Sequence, residues 1–366
     1  RKLLVTGSGR ANLTNQRMQA ARYTCADPAW MQSLLGRFGH SELIEFLNEI
    51  GVLTFSTHDG WCYPLSESAL TVVETFACAL RLTGVELVLN TRVTAIRKSS
   101  TGFNLDLSSG ATLSTRRLIV AAGGRAYPTL GSRGELFPSL KALGHTVIPL
   151  SPALAPVTCD MKPYKGLSGI RFDARVSLLE NDNLLAETTG NLIFTDWGLN
   201  GPAVMDLSHH ISTRPSARLE LSLNPLFAAE PALRDLIARK RSTPTPLRTL
   251  LGAALPPKLV PVLLVRVGLN PDALVNQANE NQLEKLFRIC TALPFKVTGV
   301  RGFEYCQISA GGVPVTEVNP LNMRSLVVPD LSLAGETLDV VGPCGGYNLQ
   351  FAFSSGAIAG MSISDH

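Results

Sequence analysis

Gly335-Glu336-Thr337-Leu338-Asp339-Val340-Val341-Gly342-Pro343-Cys344-Gly345-Gly346-Tyr347-Asn348 decides how this chain is read. The apolar run 325–334 ahead of it reads as a buried strand, and residues 348–361 behind it as a helix rich in Ala, Ser and Gly. A strand that ends at an acidic residue sets a carboxylate where a ribose or ribityl hydroxyl can bind it. Glycines Gly345 and Gly346 at the next helix start would expose backbone N–H groups at the positive end of the helix dipole. Such an end suits an electron-rich edge carrying negative charge. Gly-Gly alone is equally the mark of a tight turn.

A second strand end tips the balance. Arg117-Leu118-Ile119-Val120-Ala121-Ala122-Gly123-Gly124 is a buried strand running into glycines. Upstream, residues 67–83 read as a helix stopped at Gly84, and Val85-Glu86-Leu87-Val88-Leu89 as a short apolar strand. Stretches 93–96, 103–107 and 111–113 alternate between Ser, Thr and Gly turns. A helix, a strand, a small antiparallel meander and a strand ending in glycines is the wiring of dinucleotide-binding α/β domains, the meander serving as crossover. Residues 31–51 read as one helix, and Gly7-Ser8-Gly9-Arg10 with Asn12 and Asn15 as a polar loop.

Beyond Gly144 the texture changes. Residues 147–225 and 291–306 are β-rich and barrel-like, and 226–290 are helical with frequent Pro. The expected organisation is therefore an α/β Rossmann-like FAD/NAD(P)-binding domain made of 1–146 and 307–366. An insert, 147–306, interrupts it.

These segments together resemble the BaiN/RdsA-like (YhiN-type) family of NAD(P)/FAD-dependent oxidoreductases over nearly the whole chain. The carrying motifs are Gly7-Ser8-Gly9-Arg10 with Asn12-Leu13-Thr14-Asn15, Ala122-Gly123-Gly124 with Tyr127-Pro128, Gly201-Pro202, Gly311-Gly312-Val313, and the block from Gly335 to Gly360. The resemblance implies FAD as cofactor, with NAD(P)H as a transient electron donor and a small organic molecule as substrate. It implies that Gly7, Gly9, Arg10, Asn12 and Asn15 line the pyrophosphate-to-flavin side. Val93 would meet the adenine through its backbone, with Ala122 and Gly123 flanking the adenosine half. Gly335 and Glu336 would hold the ribityl chain, and Gly345, Gly346, Tyr347, Asn348 and Leu349 would face the isoalloxazine. The family also opens with a strand, a G-x-G-x-x-G turn, a helix and a strand ending in an acidic residue. These roughly 40 residues have no counterpart here. The chain is thus expected to be N-terminally truncated, with FAD occupancy and activity of this form weakened accordingly.

Rival expectations are a flavin oxidase using O₂ with an amine donor, and an RNA-acting or non-catalytic module of the same fold. A net charge of +4 over 366 residues, with basic residues dispersed, argues against a nucleic-acid footprint. Seven scattered cysteines without a C-x-x-C pair argue against a metal site or disulfide framework and for a reducing cytoplasm. No run reaches the about 18 apolar residues of a membrane span. No catalytic group is assigned: His58, His145 and Asp196 are candidate acid–base groups, and Cys344 a candidate redox thiol or simply a small packing residue. The adjacent His209-His210 pair points apart on either kind of element and does not chelate.

Overall fold

The two strand ends lie side by side: Leu118–Val120 pairs in parallel with Leu331–Leu333, Leu118 opposite Leu331 and Val120 opposite Leu333. In this computed structural model, which describes residues 1–212, 214, 216–223 and 229–363, the chain forms two compact units. One comprises residues 1–153 with 303–366, and the other 154–302.

In the first unit the meander is present as an antiparallel sheet of Val93–Ser99, Gly102–Leu107 and Thr112–Thr115. The helix Tyr347–Ile363 runs through the core and buries Tyr347, Phe351, Ile358 and Ala359 against Met31, Leu34, Leu43, Leu331 and Leu333. Its small residues leave room for that packing, and Ser354 and Ser355 bond backbone carbonyls instead of water. Ile148–Ala153, expected in the barrel-like part, pairs with Ile308–Gly312 in a separate two-stranded sheet of this unit.

Three local expectations fail for identifiable reasons. Residues 31–51 form two helices, Pro28–Arg37 and His40–Glu49, because the Glu42 carboxylate accepts the Gly39 N–H at 2.8 Å and starts a new helix there. Residues 85–89 form no strand. Among the described residues no backbone ladder reaches them, and Leu87, Val88 and Leu89 stay exposed. The strand read over 325–334 shrinks to Leu331–Leu333, since Pro329 lacks an N–H and Asp330 sits at φ +66°.

The second unit is a closed six-stranded barrel, ordered Arg171–Glu180, Asn183–Thr195, Gly198–Asn200, Val157–Cys159, Leu293–Val300 and Arg218–Ser222. Tyr164 stacks on Phe295 at 4.2 Å, with Phe194 edge-on to both. The helices Leu247–Gly252, Val260–Arg266 and Glu280–Thr291 belong to the same unit. The change from barrel to helices expected at 225/226 lies outside the described residues.

His145 is enclosed in the first unit, with Nδ1 2.6 Å from Glu317 and Nε2 2.9 Å from Ser325 Oγ. Ser325 Oγ already accepts the N–H groups of Val327 and Val328, so its proton goes to Nε2, and Nδ1–H donates to Glu317. Burial by itself would raise the Glu317 pKa, but the bonds from Thr146 and His145 outweigh it and lower the value from its ordinary 4.5. The folded carboxylate thus adds stability that is complete above pH 4.5 and lost as pH falls through its lowered folded value. His145→Phe is expected to cost about 2 kcal/mol in urea unfolding at pH 7. Glu317→Gln is expected to flatten the stability decline below pH 4.5, and an unchanged decline would show that another group drives it.

Candidate cofactor site

Strand Thr14–Asn15 pairs with Trp61–Pro64, so the loop read between residues 6 and 15 ends in a sheet. The pairing carries the backbone of Thr14 against the glycine pair. An ideal Cβ on Gly346, whose φ is +94°, would lie 2.3 Å from the Thr14 carbonyl oxygen. Only glycine satisfies both demands. Asn15 locks the approach by donating its amide to Gly345 O at 2.9 Å while its Oδ1 accepts from Arg17 N at 2.8 Å. Asn12, with its amide nitrogen turned inward, donates to the carbonyls of Thr14 (3.0 Å) and Cys62 (3.2 Å).

Several expected ligand groups are thus engaged with the protein itself. Tyr347 is fully buried, its hydroxyl donating to Arg17 O at 2.9 Å and its carbonyl accepting from the Tyr23 hydroxyl at 2.7 Å. Asn348 closes the glycine loop, accepting from Gly342 N at 2.8 Å and donating to Gly342 O at 2.7 Å. Leu349 follows on the same helix, half-buried. The Arg10 guanidinium lies 4.3 Å over the Tyr63 ring and 3.0 Å from Glu67. Gly7 packs on Asn12 and Tyr63, whereas Gly9 is open.

The second group gathers at the two strand ends. Val93, Ala122 and Gly123 line one cleft of about 230 Å³ with Val120, Arg133 and Thr337. Thr337 is buried, and among the described residues its hydroxyl finds no hydrogen-bond partner. Next to it, Glu336 accepts the Ser309 N–H at 2.7 Å and pairs with Lys2 at 2.5 Å. A Cβ on Gly124 would strike Glu336 Oε1 at 2.8 Å, so glycine is what lets the two strand ends close on the carboxylate. Gly335 N donates to Ser355 Oγ, tying this end to the last helix.

Sequence reasoning missed Lys2, Ser309 and Thr337. Ser309 accepts from the N–H groups of Arg125 and Ala126 while its own N–H serves Glu336. No local pattern marks such a residue, because its partners come from distant strands. Of the acid–base candidates, His58 is exposed beside Asp59 and His145 is enclosed by Glu317 and Ser325. Asp196 lies in a turn of the barrel unit. Burial pushes the Cys306 thiol up to about 12, which leaves it protonated and unreactive at neutral pH.

Comparisons with known proteins agree with this frame. The family model described as HI0933-like protein Rossmann domain matches residues 1–362. A 3-dehydro-bile acid delta(4,6)-reductase of Clostridium scindens is 33% identical over all of this chain and 90% of its own length. A ribosomal RNA dihydrouridine synthase of Escherichia coli is 30% identical over 97% of this chain and 87% of its own length. Its Haemophilus influenzae namesake is 28% identical over 100% and 90%. Among solved structures, that of the Diels-Alderase PyrE3 overlies 96% of this chain, which spans 59% of that one, at 11% identity and a TM-score of 0.32. That likeness is too slight to inform the site. No described helix is long and apolar enough to cross a membrane.

Gly346→Ala is expected to lower stability by about 1–3 kcal/mol, from strain at positive φ and the clash with Thr14. Gly356→Ala, with open space around it in the same helix, is expected to raise stability by about 0.5–1 kcal/mol. Thermal melts of the two variants check the contrast. Equal shifts would mean that the glycine pair is not under the constraint described.

Proposed function

The chain belongs to the HI0933-like family of flavin-type oxidoreductases, that of the BaiN/RdsA-like proteins, and from that premise we propose that it reduces an electron-poor carbon–carbon double bond of a small organic substrate, holding FAD in its Rossmann-type unit. The observation that carries the reading is the convergence of the two glycine-bearing strand ends on Glu336. The names of the relatives support the reaction class. One names a delta(4,6)-reductase of a 3-dehydro-bile acid and the other a dihydrouridine synthase of ribosomal RNA, and saturation of a carbon–carbon double bond is the chemistry both names suggest.

The residues present fit the cofactor. The Thr337 hydroxyl at the wall of the cleft, without a hydrogen-bond partner among the described residues, is a group that the adenosine or ribityl portion would complement, and Gly124 lets Glu336 come up beside it. Val93 would meet the adenine, Ala122 and Gly123 the adenosine, and Gly335 and Glu336 the ribityl hydroxyls, with Lys2 balancing the half-buried carboxylate. Gly7, Gly9, Arg10, Asn12 and Asn15 would flank the pyrophosphate-to-flavin side. Gly345 and Gly346, with the backbone of Tyr347, Asn348 and Leu349, would turn the helix N-terminus to the negative edge of the reduced ring. When bound, the flavin supplies hydride transfer, with NAD(P)H as donor; the protein supplies orientation and electrostatics. Unit 154–302 is the insert in this reading.

An RNA substrate is the second reading, favoured by one observation. The whole charge excess falls within residues 154–302, which hold 17 Lys and Arg against 13 Asp and Glu, while the remainder holds 16 of each. Four net charges are modest beside the about 6–10 phosphate contacts of a strong footprint, so the small substrate ranks first.

The full-length protein supplied with FAD is expected to absorb near ~450 nm and to bleach anaerobically with NADH or NADPH. Glu336→Ala is expected to weaken FAD affinity by about tenfold or more, as loss of a charged hydrogen-bonding partner does. Bleaching with an amine but not with NAD(P)H would move the reading to an oxidase. Dihydrouridine formed in RNA, with no turnover of conjugated enones, would replace the small substrate by RNA. A colourless protein in the presence of FAD would end the flavin reading.

A further inference from the structure

The hydrogen-bonded chain between strand Thr14–Asn15 and the helix Tyr347–Ile363 has only one consistent polarity. Ser354 Oγ lies 2.6 Å from the Phe38 carbonyl, which can only accept, so Ser354 donates its proton there. Gln350 Nε2 donates to Ser354 Oγ at 3.0 Å, which leaves Gln350 Oε1 facing Thr14 Oγ1 at 2.5 Å. The single proton of Thr14 goes to that oxygen. Toward His40 Nδ1, 3.3 Å away, Thr14 therefore offers only a lone pair, and Nδ1 must carry the proton. Thr14, Gln350 and Ser354 have no exposed surface, so each bond in the series costs its full desolvation if left unmade.

His40 is the one partly exposed member of the series and the first residue of the helix His40–Glu49. We infer that His40 is a positioning residue of the cofactor site. Its Nδ1–H, acting through Thr14, holds the Thr14 backbone against Gly346 and so fixes the loop 342–348 that would face the flavin. The inference rests on the flavin reading above for what the loop holds, but not for how the loop is held.

The groups around His40 agree with this assignment. Burial lowers its pKa, partly opposed by Glu42 on its own helix, while strand 14–15 presents the neutral Thr14 and, behind it, the last helix presents the neutral Gln350. Neutral and protonated imidazole both keep Nδ1–H when this tautomer is selected. The link to Thr14 therefore survives titration and breaks only when the donor is removed. In solution the other tautomer, with Nε2–H, is the commoner, so its absence is a signature of the series.

Long-range ¹H–¹⁵N spectra of the full-length protein labelled at histidine are expected to show His40 in the Nδ1–H form. Thr14→Val is expected to return it to the Nε2–H form. Amide exchange across residues 342–348 is expected to rise about tenfold in His40→Phe and to stay at the wild-type rate in His40→Asn, whose amide restores a donor at the same place. FAD affinity is expected to follow the same order. An Nε2–H imidazole in the wild type, or exchange in His40→Phe equal to that of His40→Asn, would overturn the inference. If the spectra and exchange behave as stated but no FAD binds, the positioning role stands and the flavin reading falls.

Discussion

The rest of the first unit depends on one close approach, that of the Thr14 carbonyl to the backbone of Gly346. The space that a side chain would fill there is taken by a peptide oxygen, and the left-handed turn that makes it reachable is one that glycine adopts without strain. Once the two segments touch, the hydrogen bonds follow in order. Asn15 clasps Gly345 O, Thr14 reaches Gln350, and Tyr347 is sealed beneath the aromatic ring of Tyr23 at 5.4 Å. A helix start held this rigidly presents its N–H groups in a fixed direction, which is what binding a negative edge requires.

The same economy governs the other half of the site. Glu336 is a half-buried carboxylate, and a charge drawn away from water is tolerated best with partners. Ser309 N–H and Lys2 provide them, and Gly124 keeps the neighbouring strand end close enough to complete the enclosure. Thr337, one residue further, has a hydroxyl at the cleft wall that no group among the described residues answers. Native proteins rarely leave such a group without a partner.

Local patterns made the meander legible, since Val93–Ser99 and Gly102–Leu107 alternate in the way a half-buried sheet demands. They also marked the strand end at Val120 and the start of the last helix. They misread residues 85–89, where apolar composition is right for a strand but no neighbour supplies a ladder, and residues 31–51, where the Glu42–Gly39 cap divides what periodicity joins. Strand formation is a pairwise event, and composition speaks for only one member of the pair.

The fold class and the family were legible in the chain alone, because they rest on residue type and spacing, whereas the need for glycine at Gly124 and Gly346 emerged only where distant segments meet. Only the tertiary structure decided how the candidate residues divide. Asn12, Asn15, Tyr347 and Asn348, which read as ligand groups, are largely engaged in holding the backbone. Lys2, Ser309, Thr337 and His40, to which the sequence reading gave no role, join the candidate site or its proposed support. The reason is physical. A hydrogen bond is settled by which donor and acceptor arrive within about 3 Å of each other. Thr14 and Gln350 are brought that close across 336 residues of chain by packing alone.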